Sequence, residues 1–224
     1  MKNLTLGSLI LSFAYLVFFG QDVLAQDPVE DFVKSIMQGE LTAVETAIDG
    51  GMDVNMAHND RTTPLMYAIY GENMEMVKLL ISKGADVTLS TEKGGCALNV
   101  AAATGNKEIC AILLEKGADI ETPDNEGKTP LLNAAYNKKH EAAGFLIEKG
   151  ADVNAREKNG WSALMFATMG CEAECVKMLI MIGADVNSKT NEGETPLQRA
   201  IKLQDAGMGD YREIIEVLKE AGGE

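Results

Sequence analysis

Apolar and polar positions along the chain repeat with a period of 33 residues from about residue 28 onward. In each period, a short apolar segment is followed by a longer stretch in which apolar residues recur every three to four positions. That spacing predicts two amphipathic helices per unit. Each second stretch ends in a Gly-Ala-Asp or Gly-Met-Asp turn, and glycine ends a helix at low steric cost. These turns begin at Gly51, Gly84, Gly117, Gly150 and Gly183. A fixed period of this length predicts an all-α solenoid in which each unit packs only on its neighbours.

The first helix of each unit begins at a residue that suits a helix N-terminus. Thr63, Thr129 and Thr195 each precede a proline, so the hydroxyl can cap the helix and the proline loses no hydrogen bond. Cys96 holds the same position in one unit and is expected to cap less well. One helical position is always alanine, which should let neighbouring helices approach closely. The residues concerned are Ala68, Ala101, Ala134, Ala167 and Ala200.

The sequence Asp-Asn-Glu-Gly-Lys-Thr-Pro-Leu at 124–131 and the sequence Gly-Ala-Asp-Val-Asn at 150–154 closely resemble the ankyrin repeat. The resemblance covers the chain beyond residue 27. It implies an ankyrin-repeat solenoid of about six helix–turn–helix units, with β-hairpin fingers between them. The expected repeats span about residues 28–57, 58–90, 91–123, 124–156, 157–189 and 190–222.

Three features depart from the usual repeat. The histidine that normally follows Thr-Pro-Leu is replaced, so its hydrogen bonds to the neighbouring turn are expected to be missing. Arg61 stands where the other fingers have glycine, which predicts either a strained residue or a differently built finger. The last repeat has six extra residues, which predict a loose turn over 203–209 that is either a tolerated insertion or a contact loop. The residues in place of the histidine are Met66, Asn99, Leu132, Met165 and Gln198.

The first 25 residues have the pattern of a secretory signal peptide. Lys2 precedes an apolar run, and Val23-Leu24-Ala25 forms a cleavage site that predicts a mature chain beginning at Gln26. An uncleaved membrane anchor is the alternative, but the apolar run is shorter than the ~20 residues that span a bilayer. The sequence therefore predicts an ankyrin repeat domain over residues 26–224, exported to the bacterial periplasm or otherwise secreted. After cleavage no stable membrane insertion is expected.

The formal net charge of −14 limits the partners. A strongly acidic surface repels phosphate groups, so nucleic acid and anionic membranes are unfavourable partners. The same charge could steer a basic protein toward this chain. We expect a monomer that binds another exported protein.

Four cysteines enter a compartment that favours disulfides. Cys171 and Cys175 are four residues apart and form the best candidate disulfide, although two free thiols are the favoured interpretation. No metal site is expected, because His58 and His140 lie in other repeats than this cysteine pair.

Catalytic residues are not expected. Neither histidine has a serine, cysteine or aspartate arranged with it as a catalytic motif, and no phosphate-binding glycine-rich loop is present. The repeated aspartates are explained by turns in which a short polar side chain bonds its own backbone. The sequence thus predicts a protein that is not an enzyme and needs no cofactor.

The resemblance implies that partners contact the fingertips and the exposed side of the first helices, which together form a concave groove. Trp161 is the only tryptophan in the chain, and aromatic side chains in a groove often dominate binding. Trp161 could instead cover a neighbouring finger, and Tyr70 and Tyr136 could be packing residues. The candidate contact residues are Tyr70, Asn125, Glu126, Lys128, Tyr136, Asn159, Trp161, Met169, Asn191 and Glu192.

Two functions follow from these expectations. In the first, the groove and fingertips bind another exported protein and stabilise or scaffold it. In the second, the protein is an acidic inhibitor or immunity-type protein that neutralises a basic toxin or hydrolase.

Overall fold

The computed structural model describes residues 28–58 and 60–224, and over these residues it contains twelve helices and no strand. The predicted signal peptide at residues 1–25 lies outside the described residues. Within the described part, none of the helices has the length and apolar character that crossing a membrane requires. The helices are α1 (Pro28–Gln38), α2 (Leu41–Asp49), α3 (Pro64–Tyr70), α4 (Met74–Ser82), α5 (Ala97–Thr104), α6 (Lys107–Glu115), α7 (Pro130–Tyr136), α8 (His140–Glu148), α9 (Ala163–Met169), α10 (Ala173–Met181), α11 (Pro196–Asp205) and α12 (Arg212–Glu220).

The helices pair along the chain and stack in two layers. The first helices of the pairs (α1, α3, α5, α7, α9 and α11) pack on one another in order, and second helices such as α6 and α8 contact each other in the other layer. The alanine found at one phase of the first helices is at most 3% exposed in each of the five repeats that have it. A small side chain at this position lets the first helices pack closely, as the sequence predicted. The all-α solenoid of about six helix pairs is confirmed.

Hydroxyl side chains cap most of the first helices. The Thr63 and Thr129 hydroxyls each accept the N–H of the residue three positions later, at 3.4 Å. In the helix that begins after Cys96, the side chain of the residue three positions later is the acceptor: the Asn99 side-chain oxygen accepts the Cys96 N–H at 3.0 Å. The Asn99 amide also donates to the carbonyl of Thr122 at 3.1 Å, in the turn between repeats. The expectation that all hydrogen bonds to the neighbouring turn would be missing is therefore wrong at Asn99.

The fingers are tight turns rather than strand hairpins. In the described residues only isolated bridges occur there, between Ser90 and Cys96 and between Arg156 and Ser162. Successive fingers are joined directly through their backbones, because one N–H in each finger donates to a carbonyl of the finger before. These bonds are Glu92 to Asp60 (2.9 Å), Asn125 to Lys93 (2.7 Å), Lys158 to Glu126 (2.9 Å) and Asn191 to Asn159 (2.8 Å).

Arg61 adopts the same left-handed conformation as the glycines at its position in the other fingers. Its φ is +63°, and that of Gly94 and Gly127 is +77° and +83°. Of the two alternatives that the sequence left open, the first is correct: the finger is built normally and Arg61 is strained. A side chain with a Cβ pays a steric cost there that glycine avoids.

The insertion in the last repeat is more ordered than expected. Helix α11 continues to Asp205, so the loose turn predicted over 203–209 begins only after that residue. The turn is fixed at its end by Tyr211, whose N–H donates to the Gln204 side chain at 2.7 Å. The Tyr211 hydroxyl donates to the carbonyl of Met169 at 3.0 Å, which ties the insertion to the previous repeat.

Candidate functional site

A row of exposed side chains runs along the ends of the first helices. One period separates each member from the next, so the row continues across the stacked helices. Tyr70, Tyr136 and Met169 are 55%, 49% and 39% exposed. Ala103 and Lys202 occupy the same position in the other two repeats. The structure thus places three of the predicted contact residues in one row.

Three aromatic rings form a cluster beside this row. The Trp161 ring stacks on the Phe166 ring with centroids 5.5 Å apart, and the Tyr136 ring meets Phe166 edge-on at 5.4 Å. Phe166 is buried, whereas Trp161 is half-buried and Tyr136 is exposed. We call Tyr136, Trp161 and Phe166 the aromatic platform. Trp161 therefore has a packing role, and part of its surface still faces solvent.

Two cations flank the aromatic platform. The Lys128 ammonium lies 4.2 Å from the centroid of the Tyr136 ring, and the Arg199 guanidinium carbon lies 4.8 Å from that of Trp161. Both distances allow cation–π attraction. Lys128 also pairs with Glu126 at 2.5 Å, and this hydrogen bond lowers the pKa of the Glu126 carboxyl. The Tyr136 and Trp161 rings are thus each held between the Phe166 ring and one cation.

The predicted fingertip asparagines bond within the array. The Asn125 amide donates to the carbonyl of Glu92 at 2.6 Å, and the Asn191 amide donates to that of Lys158 at 2.7 Å. The Asn159 amide donates to Glu157 at 3.1 Å. Asn125 and Asn191 thus join neighbouring fingers, Asn159 bonds within its own finger, and partner contact by these asparagines stays a prediction. Glu192 is exposed at the next fingertip position.

Tyr70 stands apart from the aromatic platform, because Ala103 occupies its position in the repeat between them. Burial of its hydroxyl and the charge of Asp60 raise the pKa of Tyr70. Burial, with the same carboxylate nearby, raises the pKa of Tyr67 to about 12. Among the aromatic residues that the sequence predicts to contact a partner, Tyr136 and Trp161 therefore belong to the aromatic platform, and Tyr70 lies separately.

All four cysteines are free thiols in the structure. Cys171 is exposed, and its sulfur donates to the carbonyl of Asp210 at 3.2 Å. Cys175 is buried, and this burial, with the nearby Glu172 charge, raises its pKa to about 11. Burial raises the pKa of Cys110 to about 12. The disulfide between Cys171 and Cys175 stays a prediction.

One cluster was missed by the sequence reasoning. A ligand atom from each of His140, Glu172 and Cys175 lies within 4.8 Å of the other two. From the sequence, His140 was excluded as a metal ligand because it lies in another repeat than Cys175. That reason is wrong, since the two side chains are close across the repeat boundary. One period places His140 at the same phase as residue 173, next to Glu172 in the following repeat. Comparing positions one period apart would have found the cluster.

The family model described as Ankyrin repeats (3 copies) matches residues 16–91, 32–124, 89–157 and 154–224. These overlapping matches cover every described helix pair. No curated protein matches the chain significantly.

Proposed function

The chain belongs to the ankyrin repeat family, and we propose that it binds a protein partner at the aromatic platform and the neighbouring Met169. Ankyrin repeats generally serve as non-catalytic modules for protein–protein interaction, and the family membership supports that role. The observation that carries the location is the row of exposed apolar side chains at one phase of the first helices. Tyr136 and Met169 are adjacent members of this row.

The chemistry of this surface suits a protein rather than a small ligand. Neighbouring packed helices have axes about 8–10 Å apart, so Tyr136 and Met169 can reach different side chains of one partner. Aromatic rings give a large contact area at low entropic cost, and a methionine adapts to the shape of its neighbour. Lys128, beside the Tyr136 ring, offers a charge at the edge of this area, where a polar rim is usual.

The order of the platform should favour binding. Tyr136 is held between the Phe166 ring and the Lys128 ammonium. A partner that contacts an already fixed ring loses less conformational freedom on binding than one that must order a mobile side chain. The backbone bonds between fingers hold Lys128 and Trp161 to the same rigid frame.

The compartment and the effect on the partner are further parts of the proposal. The predicted signal peptide at residues 1–25 supports action outside the cytoplasm, in the bacterial periplasm or otherwise secreted, on another exported protein. We propose that the chain acts there as a monomer. Binding through a rigid surface would stabilise or scaffold that protein. The net charge of −14 favours a second candidate, in which the partner is a basic toxin or hydrolase that the chain inhibits.

Affinity capture from the native cells tests the binding surface. The bait is the protein itself, compared with a Tyr136→Ala/Met169→Ala variant and with a Glu115→Ala/Glu148→Ala control on the second helices. We expect the wild type and the control to retain one partner, and we expect the Tyr136→Ala/Met169→Ala variant to lose it. Equal capture by all three would refute the assigned surface.

Two further measurements separate the remaining alternatives. Adding the purified protein to its partner should raise the partner's melting temperature and leave its activity intact if the role is stabilisation. Loss of the partner's activity would instead show inhibition. Mass spectrometry of the protein from the native cells should find a chain that begins at Gln26, and a chain that retains Met1 would overturn the predicted cleavage.

A further inference from the structure

We propose that His140, Glu172 and Cys175 form a binding site for Zn²⁺ between the fourth and fifth repeats. One side of this site is open to solvent. His140 is the first residue of α8, Glu172 immediately precedes α10, and Cys175 lies in the first turn of α10. The imidazole, carboxylate and thiol ligand atoms all lie within 4.8 Å of one another. Small side-chain rotations bring three such atoms to the separations found around one tetrahedral ion.

The placement of the Glu172 carboxylate supports the site. Three and two periods earlier, Asn73 and Asn106 precede α4 and α6 and cap them through their side chains, whereas Lys139, one period earlier, does not cap α8. Glu172 holds the corresponding position before α10, but its carboxylate contacts the His140 Nε2 across the repeat boundary. The Glu172 side chain makes no capping bond to α10. It is directed instead toward the two other ligand atoms.

The three donors select the kind of metal. Imidazole nitrogen, thiolate sulfur and carboxylate oxygen are the three ligand types that Zn²⁺ combines in proteins. Mg²⁺ and Ca²⁺ prefer oxygen ligands, and this cluster offers one carboxylate. Lys138 reaches the other oxygen of that carboxylate, with 3.7 Å between its nitrogen and Oε1. The Oε2 atom that faces His140 is the one available to the ion.

The burial of the ligands predicts a site that is closed on one side and open on the other. Cys175 is 7% exposed, whereas the His140 side chain is 49% exposed. Three protein ligands leave the fourth position of a tetrahedral ion free for water or for a group from another molecule. Because the ligands come from two repeats, the ion would also join those repeats and raise the stability of the array.

Cobalt titration of the purified, reduced and untagged protein tests the site. Co²⁺ takes the place of Zn²⁺ in such sites, and a bond to a thiolate gives a charge-transfer band in the near ultraviolet. We expect this band to saturate at one Co²⁺ per chain and to disappear when Zn²⁺ is added. We also expect Zn²⁺ to raise the melting temperature by about 5 °C or more at saturating concentration.

Three variants decide whether these residues hold the ion. Cys175→Ser and His140→Ala should each lose the band, and Cys171→Ser should keep it, because Cys171 is a neighbouring thiol outside the cluster. His140 is exposed, so its variant should fold normally even if Cys175→Ser does not. In that variant the Zn²⁺-induced rise in melting temperature should also vanish. Absence of a band in the wild type, its persistence in His140→Ala, or its loss in Cys171→Ser would overturn the proposal.

Discussion

The Trp161 indole stacks on the Phe166 ring, with a centroid separation of 5.5 Å and an angle of 25° between the ring planes. Trp161 comes from a finger, and Phe166 comes from the first helix of the same repeat. The contact therefore fixes the finger to the helical layer and also shapes the surface beside Tyr136. Trp161 thus packs against the core beside the proposed contact surface, whereas Tyr136 is exposed enough to be changed without great loss of packing.

Trp161→Ala should lower the free energy of unfolding by about 1–3 kcal/mol, because the change removes a half-buried ring from Phe166 and Arg199. Tyr136→Ala should cost less than about 1 kcal/mol, since half of this side chain already faces water. Urea unfolding followed by circular dichroism measures both. Equal losses for the two variants would show that Trp161 has no special packing role.

Arg61→Gly should raise the free energy of unfolding by about 0.5–1 kcal/mol. Glycine removes the steric cost of a positive φ at this position, and part of that gain is offset by the greater freedom of glycine in the unfolded chain. Thermal unfolding measures the change. Gly127→Ala is the matched test in another finger and should be destabilising, because its φ is +83° and a Cβ there would lie 3.1 Å from the Lys158 nitrogen. A destabilised Arg61→Gly variant would contradict the assigned strain.

Thr88→Asn should stabilise the protein by about 0.5–1 kcal/mol by adding a bridge between repeats. At the same phase, Asn154 donates to the carbonyl of Gly183 at 3.2 Å and accepts the N–H of Asp185 at 2.8 Å. Thr88 bonds instead to Asp86 in its own turn. Asn154→Ala is the control and should lower the unfolding midpoint in urea, whereas the same midpoint should rise for Thr88→Asn. A Thr88→Asn variant no more stable than the wild type would show that this bridge adds nothing there.

Stability should fall as the pH rises from about 8.5 toward about 12, because the thiol of Cys110 keeps its proton in the folded state. Its pKa is raised to about 12 by burial, whereas an unfolded cysteine has a pKa of about 8.5. Below the unfolded value both states are protonated, so the full stability is present there. Cys110→Val, which places the residue found at Val77 and Val176, should lose about 2–3 kcal/mol less than the wild type between pH about 8 and about 10.5. Identical pH profiles would contradict the contribution of this thiol.

Alkylation of the native protein should separate the cysteines. Cys171 is exposed and should react first with iodoacetamide at pH about 8, whereas buried Cys110 and Cys175 should react only after unfolding. Peptide mapping by mass spectrometry gives the order. A native protein in which neither Cys171 nor Cys175 reacts until a reductant is added would establish the disulfide predicted between them.

Much of the fold could be predicted from the period because helix starts, alanine positions and closing glycines are local features that recur in each repeat. The left-handed turn at Arg61 was foreseen as one of two alternatives for the same reason. The cluster of His140 and Cys175 was not foreseen, since residues in different repeats were treated as distant. The bonds of Asn125 and Asn191 to the preceding finger were not predicted either, because the sequence does not show which neighbour a polar fingertip side chain contacts. The 33-residue period shows which positions of the repeats are equivalent. The contacts between stacked repeats determine which of those side chains remain free to bind a partner.

A protein partner should contact the first-helix side of the fourth and fifth repeats. Site-specific photo-crosslinking in the native cells tests this contact most directly, with benzoylphenylalanine placed at Tyr136, at Met169 or at Glu148 on the second helix of the fourth repeat. We expect one and the same crosslinked protein from the Tyr136 and Met169 positions and none from the Glu148 position. A crosslinked partner from Glu148 together with none from Tyr136 and Met169 would contradict this expectation.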